Sequence, residues 1–358
     1  MASWEDNVRR VEPYVPGEQP KQKNVIKLNT NENPYPPAPG VAQVLKEFDT
    51  DQLRLYPDPE IKGLVSAIAK VKGLQENQVF VGVGSDDVLA MCFMTFFGSS
   101  QPILFPDITY SFYDVWAELL RIPYETQALN STFGIDVSDY KKKNGGIVIP
   151  NPNAPTGVEE PEGALEEIIR SNPDAVVIID EAYVDFGAKS VLPLIDKYDN
   201  LLVVQTFSKS RSLAGSRIGF AMGNPKLISY LNDCKYSFNS YTMDRLTILL
   251  GKASIEDVDY FETQVKKIVK TRSWTMEQLK NLGFTAPDSK SNFIFASHKK
   301  VPAKYIFEEL KKKNIYVRYF AKPRIDNYLR ITIGTDEEMK SLIGVLDEII
   351  RHTDEMKP

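Results

Sequence analysis

Apolar residues fall along this chain in short continuous runs separated by stretches of helical spacing. The runs QVFVGVG (78–84), QPILFP (101–106), GGIVIP (145–150), DAVVIID (174–180) and NLLVVQTF (200–207) are short and rich in Val and Ile, as strands covered on both faces are. Helical patterns near 60–72, 85–97, 111–121, 161–171 and 224–235 lie between them. This alternation predicts an α/β fold with a mainly parallel central sheet.

The pattern then changes. A long amphipathic helix is expected over 254–281, with Val258, Phe261, Val265, Ile268, Val269 and Trp274 near helical spacing. After it come strand-like SNFIFA (291–296), a helix over 302–313, strands NIYVRYF (314–320) and NYLRITI (327–333), and a last helix opened by a capping box of Thr335 and Glu338. The reading is a large α/β domain at 38–250 and a smaller α+β domain at 251–358. Residues 1–37 hold Pro13, Pro16, Pro20, Pro34, Pro36 and Pro37 with little periodicity. They predict an extended arm of the kind that completes a subunit interface.

Composition narrows the chemistry. Among 358 residues, 43 Lys and Arg stand against 48 Asp and Glu, which leaves no basic surplus for nucleic acid. No apolar run approaches the roughly 18 residues that cross a membrane, and the polar start MASWEDNVRR has no leader-like core, so the expected location is cytoplasmic. Two cysteines, Cys92 and Cys234, exclude a disulfide framework. Two histidines, His298 in a Ser-His-Lys-Lys loop and His352 next to Arg351, read as solvated surface residues. A Ser-His-Asp triad and a zinc site are therefore not expected, and no metal is assigned. Chemistry is left to Lys, Asp, Tyr, Asn and Arg, or to a cofactor.

Ligands of open α/β sheets bind beyond the carboxyl ends of the strands, and polar residues stand there. Gly84-Ser85-Asp86-Asp87 opens a helix, offering free N–H groups and a hydroxyl to a phosphate; taken alone, Ser85 merely caps that helix. No GxxxxGK[ST] occurs, and Gly82-Val83-Gly84 lacks the third glycine of a dinucleotide fingerprint. Asn153, in the irregular NPNAPTG loop (151–157), presents an amide, although such a loop is by itself a turn. Asp180 ends a Val/Ile strand, where a buried carboxylate is costly unless it meets a cation such as a protonated pyridine. Tyr183 lies three residues on; a Walker-B-like role for the Asp-Glu pair is the rival. Lys209, beside Ser208 at another strand end, is a candidate Schiff-base nucleophile, with Arg217 able to reach a phosphate. Alone, Lys209 reads as a surface lysine. Together, the order phosphate turn, Asn, Asp, Tyr, Lys, Arg is the set pyridoxal phosphate requires.

These motifs, with TFSKSRSLAGSRIG (206–219), DEAYVDF (180–186) and YLRITIGT (328–335), resemble the fold type I pyridoxal-phosphate-dependent aminotransferases. VEPYVPG (11–17), LNTNENPY (28–35), LYPDPE (55–60) and VRYF (317–320) are similar to the histidinol-phosphate aminotransferase branch of that family. The resemblance implies that Lys209 carries the imine and shuttles the proton. It gives Asp180 the pyridinium, and Asn153 and Tyr183 the phenolic oxygen. By the same resemblance Tyr110 would stack on the ring, Ser85, Asp86, Ser208 and Arg217 would bind the phosphate, and Tyr56 would reach that phosphate from the other subunit of a homodimer. Arg330 would take the substrate carboxylate, and Tyr14 with Arg318 the substrate phosphate. Val83, Asp87 and Ala154 depart from the family pattern.

The resemblance implies exchange of an amino group between L-histidinol phosphate and 2-oxoglutarate, giving imidazole-acetol phosphate and L-glutamate, in histidine biosynthesis. Aromatic amino acid transamination and threonine-phosphate decarboxylation are the alternatives on the same cofactor. A nucleotide-binding Rossmann protein or a catalytically dead module is the alternative from another class, disfavoured by the missing glycine and by the presence of Lys209 with Asp180.

Overall fold

A computed structural model describes residues 3–22 and 24–355. Seven strands form one large sheet in the order Val79–Gly82, Gly219–Gly223, Leu201–Thr206, Val177–Asp180, Gly146–Pro150, Ile103–Pro106, Tyr124–Gln127. Only Gly219–Gly223 runs against its two neighbours; the other pairings are parallel. Alternate residues of each strand face opposite sides. Ile147, Ile149, Val177, Ile179, Leu201 and Val203 pack into one core with helices Lys62–Lys72 and Arg245–Glu256. Val148, Ile178, Leu202 and Val204 pack into the other with helices Ser85–Phe96 and Tyr113–Leu120. Apolar cover on both faces is why the runs showed no alternation.

Two strands of this sheet were not foreseen. Tyr124–Gln127 is an edge strand with mostly exposed side chains, so it carries no apolar signature. Gly219–Gly223 is GFAMG, where glycines at both ends mask a buried strand. Helix Pro39–Glu47 was also missed.

A second, antiparallel sheet has the order Arg318–Tyr319, Leu329–Thr332, Phe293–His298, Phe284–Thr285. It packs with helices Val258–Asn281, Ala303–Lys312 and Asp336–Glu355 around a third core that includes Ile294, Ile306, Ile331 and Leu346. Thr335 and Glu338 make the expected capping box, Glu338 N donating to Thr335 Oγ1 at 3.2 Å and Thr335 N to Glu338 Oε2 at 2.8 Å.

Three expectations are corrected here. The helix over 254–281 is two helices, Arg245–Glu256 and Val258–Asn281, broken at Asp257, whose carboxylate accepts from Tyr260 N and caps the second; the first spans the 250/251 boundary. The strand over 314–320 is two short strands on either side of Val317. Ile315–Tyr316 pairs in parallel with Ile26–Lys27 of the arm, and Arg318–Tyr319 pairs with Leu329–Thr332. His298 is not a solvated loop residue: it ends strand Phe293–His298, 5% exposed, packed edge-on to Phe284 at 4.9 Å. Its Nδ1 accepts from Val301 N at 2.9 Å, so the imidazole closes a turn.

Candidate active site

Strand register assembles the site. Asp180 ends its strand opposite Pro150 and Val204, and Lys209 follows three residues after Thr206 ends the next. Gly219 pairs with both Gly82 and Thr206, which brings the Gly84-Ser85 turn against Ser208 and Arg217. That approach requires glycine. A Cβ on Gly219 would lie 2.3 Å from Gly84 C and Ser85 N, and one on Gly84, where φ is 87°, would lie 2.5 Å from an Arg217 nitrogen.

A cavity of about 160 Å³ results, lined by Thr30, Glu32, Ser85, Asp86, Tyr110, Asp180, Tyr183, Ser208, Lys209 and Arg217, with Pro150, Pro152 and Ala154 beneath. A larger hollow of about 820 Å³ beside Glu159, Glu162 and Lys189 is lined largely by apolar residues, Gly and Pro, with four glutamates and two lysines but no guanidinium or phenol. Chemistry, not volume, identifies the site.

Asp180 is enclosed. Tyr113 O–H donates to its Oδ2 at 2.7 Å and Ala182 N to its Oδ1 at 3.1 Å. Burial pushes its carboxyl up to about 6, although both hydrogen bonds and the Lys209 charge pull it down. The difference from 3.8 is worth roughly 3 kcal/mol in favour of the neutral form, the cost a nearby cation would offset. Glu181, its neighbour, is turned away. It accepts from Gln205 Nε2, Ser190 Oγ and Val191 N, so the Asp-Glu pair has no second acid for a Walker-B role.

Lys209 Nζ lies 5.8 Å from the Tyr183 ring centre and donates to Thr30 O at 3.3 Å. Asp86 accepts from Tyr110 O–H at 2.8 Å and from Arg217 at 3.0 Å. Arg217 also donates to Ser208 Oγ at 3.4 Å, so it links two other expected phosphate ligands, Asp86 and Ser208. Ser85 does not cap its helix: Gly84 is the N-cap, and no side-chain cap bond forms. Val83 offers only its N–H, which donates to Asp87 Oδ2 at 2.8 Å, and Ala154 presents a methyl to the cavity wall. The departures at 83, 87 and 154 thus leave the turn closed and the wall smooth.

Other expected residues stand outside the cavity wall. Asn153 is buried beside it, its amide donating to Ile108 O and Thr156 Oγ1 while its Oδ1 has no partner. Arg330 is half-buried, its guanidinium 5.5 Å from the Phe293 ring centre and 5.6 Å from that of Phe320, donating to Asn29 O at 3.0 Å with its Nε buried and unpaired. Burial holds its guanidinium below the usual value, and it feels the charges of Tyr183, Arg318, Tyr14 and Tyr110. Arg318, half-buried, reaches Val15 O at 3.5 Å, and Tyr14 stacks on Phe112 at 4.2 Å. Tyr56 is 78% exposed, against Tyr241 at 4.7 Å.

Sequence reasoning missed Tyr113 and the individual roles in the LNTNENPY segment. Thr30 O meets Lys209 Nζ, Asn31 Nδ2 donates to the Tyr183 phenolic oxygen at 2.9 Å, and Asn33 Nδ2 donates to Lys209 O and Ser210 O. The density of Asn in that segment was the available signal.

The residues fit pyridoxal phosphate. A lysine amine, an enclosed carboxylate for a ring nitrogen, a phenol, and a glycine-bound turn beside Arg217 are the donor set it needs. The pattern of the family "Aminotransferase class I and II" matches residues 23–346. The chain is 54% identical over 347 residues to the histidinol-phosphate aminotransferase of Clostridium beijerinckii, covering 97% of each. It is 53% identical to that of Brachyspira hyodysenteriae over 348 residues, 97% of this chain and 98% of the relative. Among solved structures, histidinol-phosphate aminotransferase from Sinorhizobium meliloti in complex with pyridoxal-5'-phosphate superposes with a TM-score of 0.83 at 22% identity, over 92% of this chain and 91% of that one. The enzyme from Clostridium acetobutylicum gives 0.85 at 20% identity, over 92% and 100%.

Fold and site define an aminotransferase of class I and II, a pyridoxal-phosphate enzyme. At this identity over nearly its whole length, the chain belongs to the histidinol-phosphate aminotransferase family.

Proposed function

We propose that this chain moves the amino group of L-histidinol phosphate to 2-oxoglutarate, yielding imidazole-acetol phosphate and L-glutamate, as a step of histidine biosynthesis. The observation that carries this is Lys209 and Asp180 converging on one cavity in a chain 54% identical to a histidinol-phosphate aminotransferase. Bound pyridoxal phosphate supplies an electron sink for the carbon that loses and regains a proton. Lys209 would hold the cofactor covalently and, as a free amine, would move that proton. Asp180 keeps a ring nitrogen protonated, because a buried carboxylate is stabilised by a cation opposite it. Arg217, Ser85, Ser208 and the N–H groups after Gly84 hold the phosphate, with Asp86 fixing Arg217 and Tyr110. Tyr183 would meet the phenolic oxygen and Tyr110 would cover the ring, while Asn153, its amide donating to Ile108 O and Thr156 Oγ1, would support the loop beside them.

Arg330 receives the α-carboxylate of glutamate, and Arg318 with Tyr14 the distal anion. What supports this is the Arg330 guanidinium standing near the Phe293 and Phe320 rings and feeling Tyr183 and Tyr110. Two chains form a cytoplasmic homodimer in which Tyr56 reaches the other subunit's phosphate. Its support is an exposed aromatic and aliphatic patch of Leu53, Leu55, Tyr56, Phe238 and Tyr241. Among the described residues no helix is long and apolar enough to cross a membrane.

The test is a half-reaction screen on the protein loaded with pyridoxal phosphate, adding one amine at a time and following conversion of the cofactor to its amine form by absorbance. Histidinol phosphate and glutamate should convert it fastest. An aromatic amino acid outpacing histidinol phosphate would replace this reading with an aromatic aminotransferase.

A further inference from the structure

Asn31 lies in the arm, 1% exposed, with φ at 57°, a left-handed conformation that asparagine tolerates. Its main-chain N–H donates to Thr332 Oγ1 at 3.0 Å, and Thr332 Oγ1 lies 3.0 Å from the side-chain oxygen of Asn31. A hydroxyl has a single hydrogen. Among the described residues the Asn31 main-chain N–H and that side-chain atom are the two hydrogen-bond neighbours of Thr332 Oγ1, and Thr332 is 2% exposed. The main-chain N–H donates to it, so its own hydrogen finds an acceptor only where the side-chain atom facing it is the amide oxygen. The amide NH₂ is thereby turned toward Tyr183, whose phenolic oxygen it meets at 2.9 Å. Asn292 Nδ2, donating to Asn31 O at 2.9 Å, holds the backbone in this pose.

The consequence reaches the cavity. The Tyr183 oxygen accepts from Asn31, and an NH₂ cannot take a hydrogen back, so the phenol must donate in another direction. Tyr183 lines the cavity that holds Lys209 and Asp180. We propose that Asn31 is a positioning residue that directs the Tyr183 phenol hydrogen onto the ring oxygen of the cofactor, its own orientation being set by Thr332. This rests on the reading of the cavity as the pyridoxal-phosphate site. Two cations bear on the same phenol, Lys209 and Arg330, and neither can supply the acceptor its hydrogen needs. The hydroxyl of a strand in the small sheet thus selects the direction of a hydrogen at the end of the large one.

The readout is the midpoint of the pH titration of visible absorbance in the cofactor-loaded enzyme. A phenol donor stabilises the anionic ring oxygen, so its loss in Tyr183→Phe should raise that midpoint by about one pH unit. In Asn31→Asp the carboxylate accepts the phenol hydrogen and also adds a charge. A double-mutant cycle separates the two effects. The rise caused by Asn31→Asp should be larger with Tyr183 present than in Tyr183→Phe by about half a unit, since the charge acts in both backgrounds and the hydrogen bond in only one. Thr332→Val, which is neutral, should raise the midpoint, and Thr332→Ser should return it to the parent value. Additive shifts in the cycle overturn the proposal while a shifted Tyr183→Phe leaves the cofactor site standing. No shift in Tyr183→Phe overturns both. If Asn31→Asp does not fold, the Thr332 pair decides: equal midpoints for Val and Ser overturn the proposal.

Discussion

The phenol of Tyr113 donates to Asp180 Oδ2 at 2.7 Å in a fully buried contact. It is a main restraint on a carboxyl that burial drives toward the neutral form. Hydrogen bonds to charged groups contribute about 1.5–3 kcal/mol. Tyr113→Phe should therefore raise the Asp180 carboxyl further and weaken pyridoxal-phosphate binding roughly tenfold at pH 6, measured by titrating the cofactor-free protein. Unchanged affinity at that pH would remove Tyr113 from the site's electrostatics.

Asp180→Asn gives a stability signature in the cofactor-free protein. The Asp180 carboxyl sits at about 6 when folded, above its ordinary 3.8, so the folded state binds more protons than the unfolded between those values. Its contribution is most favourable below about pH 4 and declines as pH rises to about 6. Melting temperatures at pH 4.5, 5.5 and 7 should show the variant gaining on the parent as pH rises. A constant difference across that range would mean the carboxyl titrates normally.

Lys209→Ala should abolish transamination while leaving a folded protein that binds pyridoxal phosphate without a covalent link. In the proposed function the amine holds the cofactor and moves the proton, two roles each worth orders of magnitude in rate. Steady-state turnover checks it, and near-normal rates would reassign the lysine.

Arg330 and Arg318 should separate the two half-reactions. Histidinol phosphate has a phosphate and no α-carboxylate, whereas glutamate has two carboxylates. Arg330→Leu should depress kcat/KM mainly for glutamate, and Arg318→Leu most strongly for histidinol phosphate, each by about 2–5 kcal/mol if the partner charge stays buried. Arg318→Leu leaving the histidinol-phosphate half-reaction intact would count against the assigned substrate.

Tyr56 is tested by mixing inactive Lys209→Ala chains with impaired Tyr56→Phe chains. Mixed dimers should regain activity, because one of their two sites has both native residues. No recovery would place Tyr56 in its own chain's site, or outside the chemistry.

What the sequence revealed and what it hid have physical causes. Strands Gly146–Pro150, Val177–Asp180 and Leu201–Thr206 were legible because every residue is buried, and the polar residues just past them stood out for the same reason. Tyr113 stayed hidden because a tyrosine opening a helix looks like core, and only the fold brings Asp180, 67 positions away, to its hydroxyl. The break at Asp257 lacks proline or glycine to announce it. His298 was misread because Ser and Lys flank it, although the strand buries its ring under Val301 and Phe284. Asn153 was legible as a polar strand-end residue, but its amide hydrogens go to Ile108 and Thr156.

The pairing of the arm with the small sheet sets an order of assembly. Asn31 leaves the ribosome 301 residues ahead of its partner Thr332. A nascent chain that has emerged only through the large sheet contains the strands that position Lys209, Asp180 and Arg217. It lacks the anchor for Asn31 and for strand Ile26–Lys27, whose partner is Ile315–Tyr316. The arm side of the cavity is therefore anchored only after Thr332 has been made, and a chain stopped short of it holds Thr30 and Glu32 without that anchor.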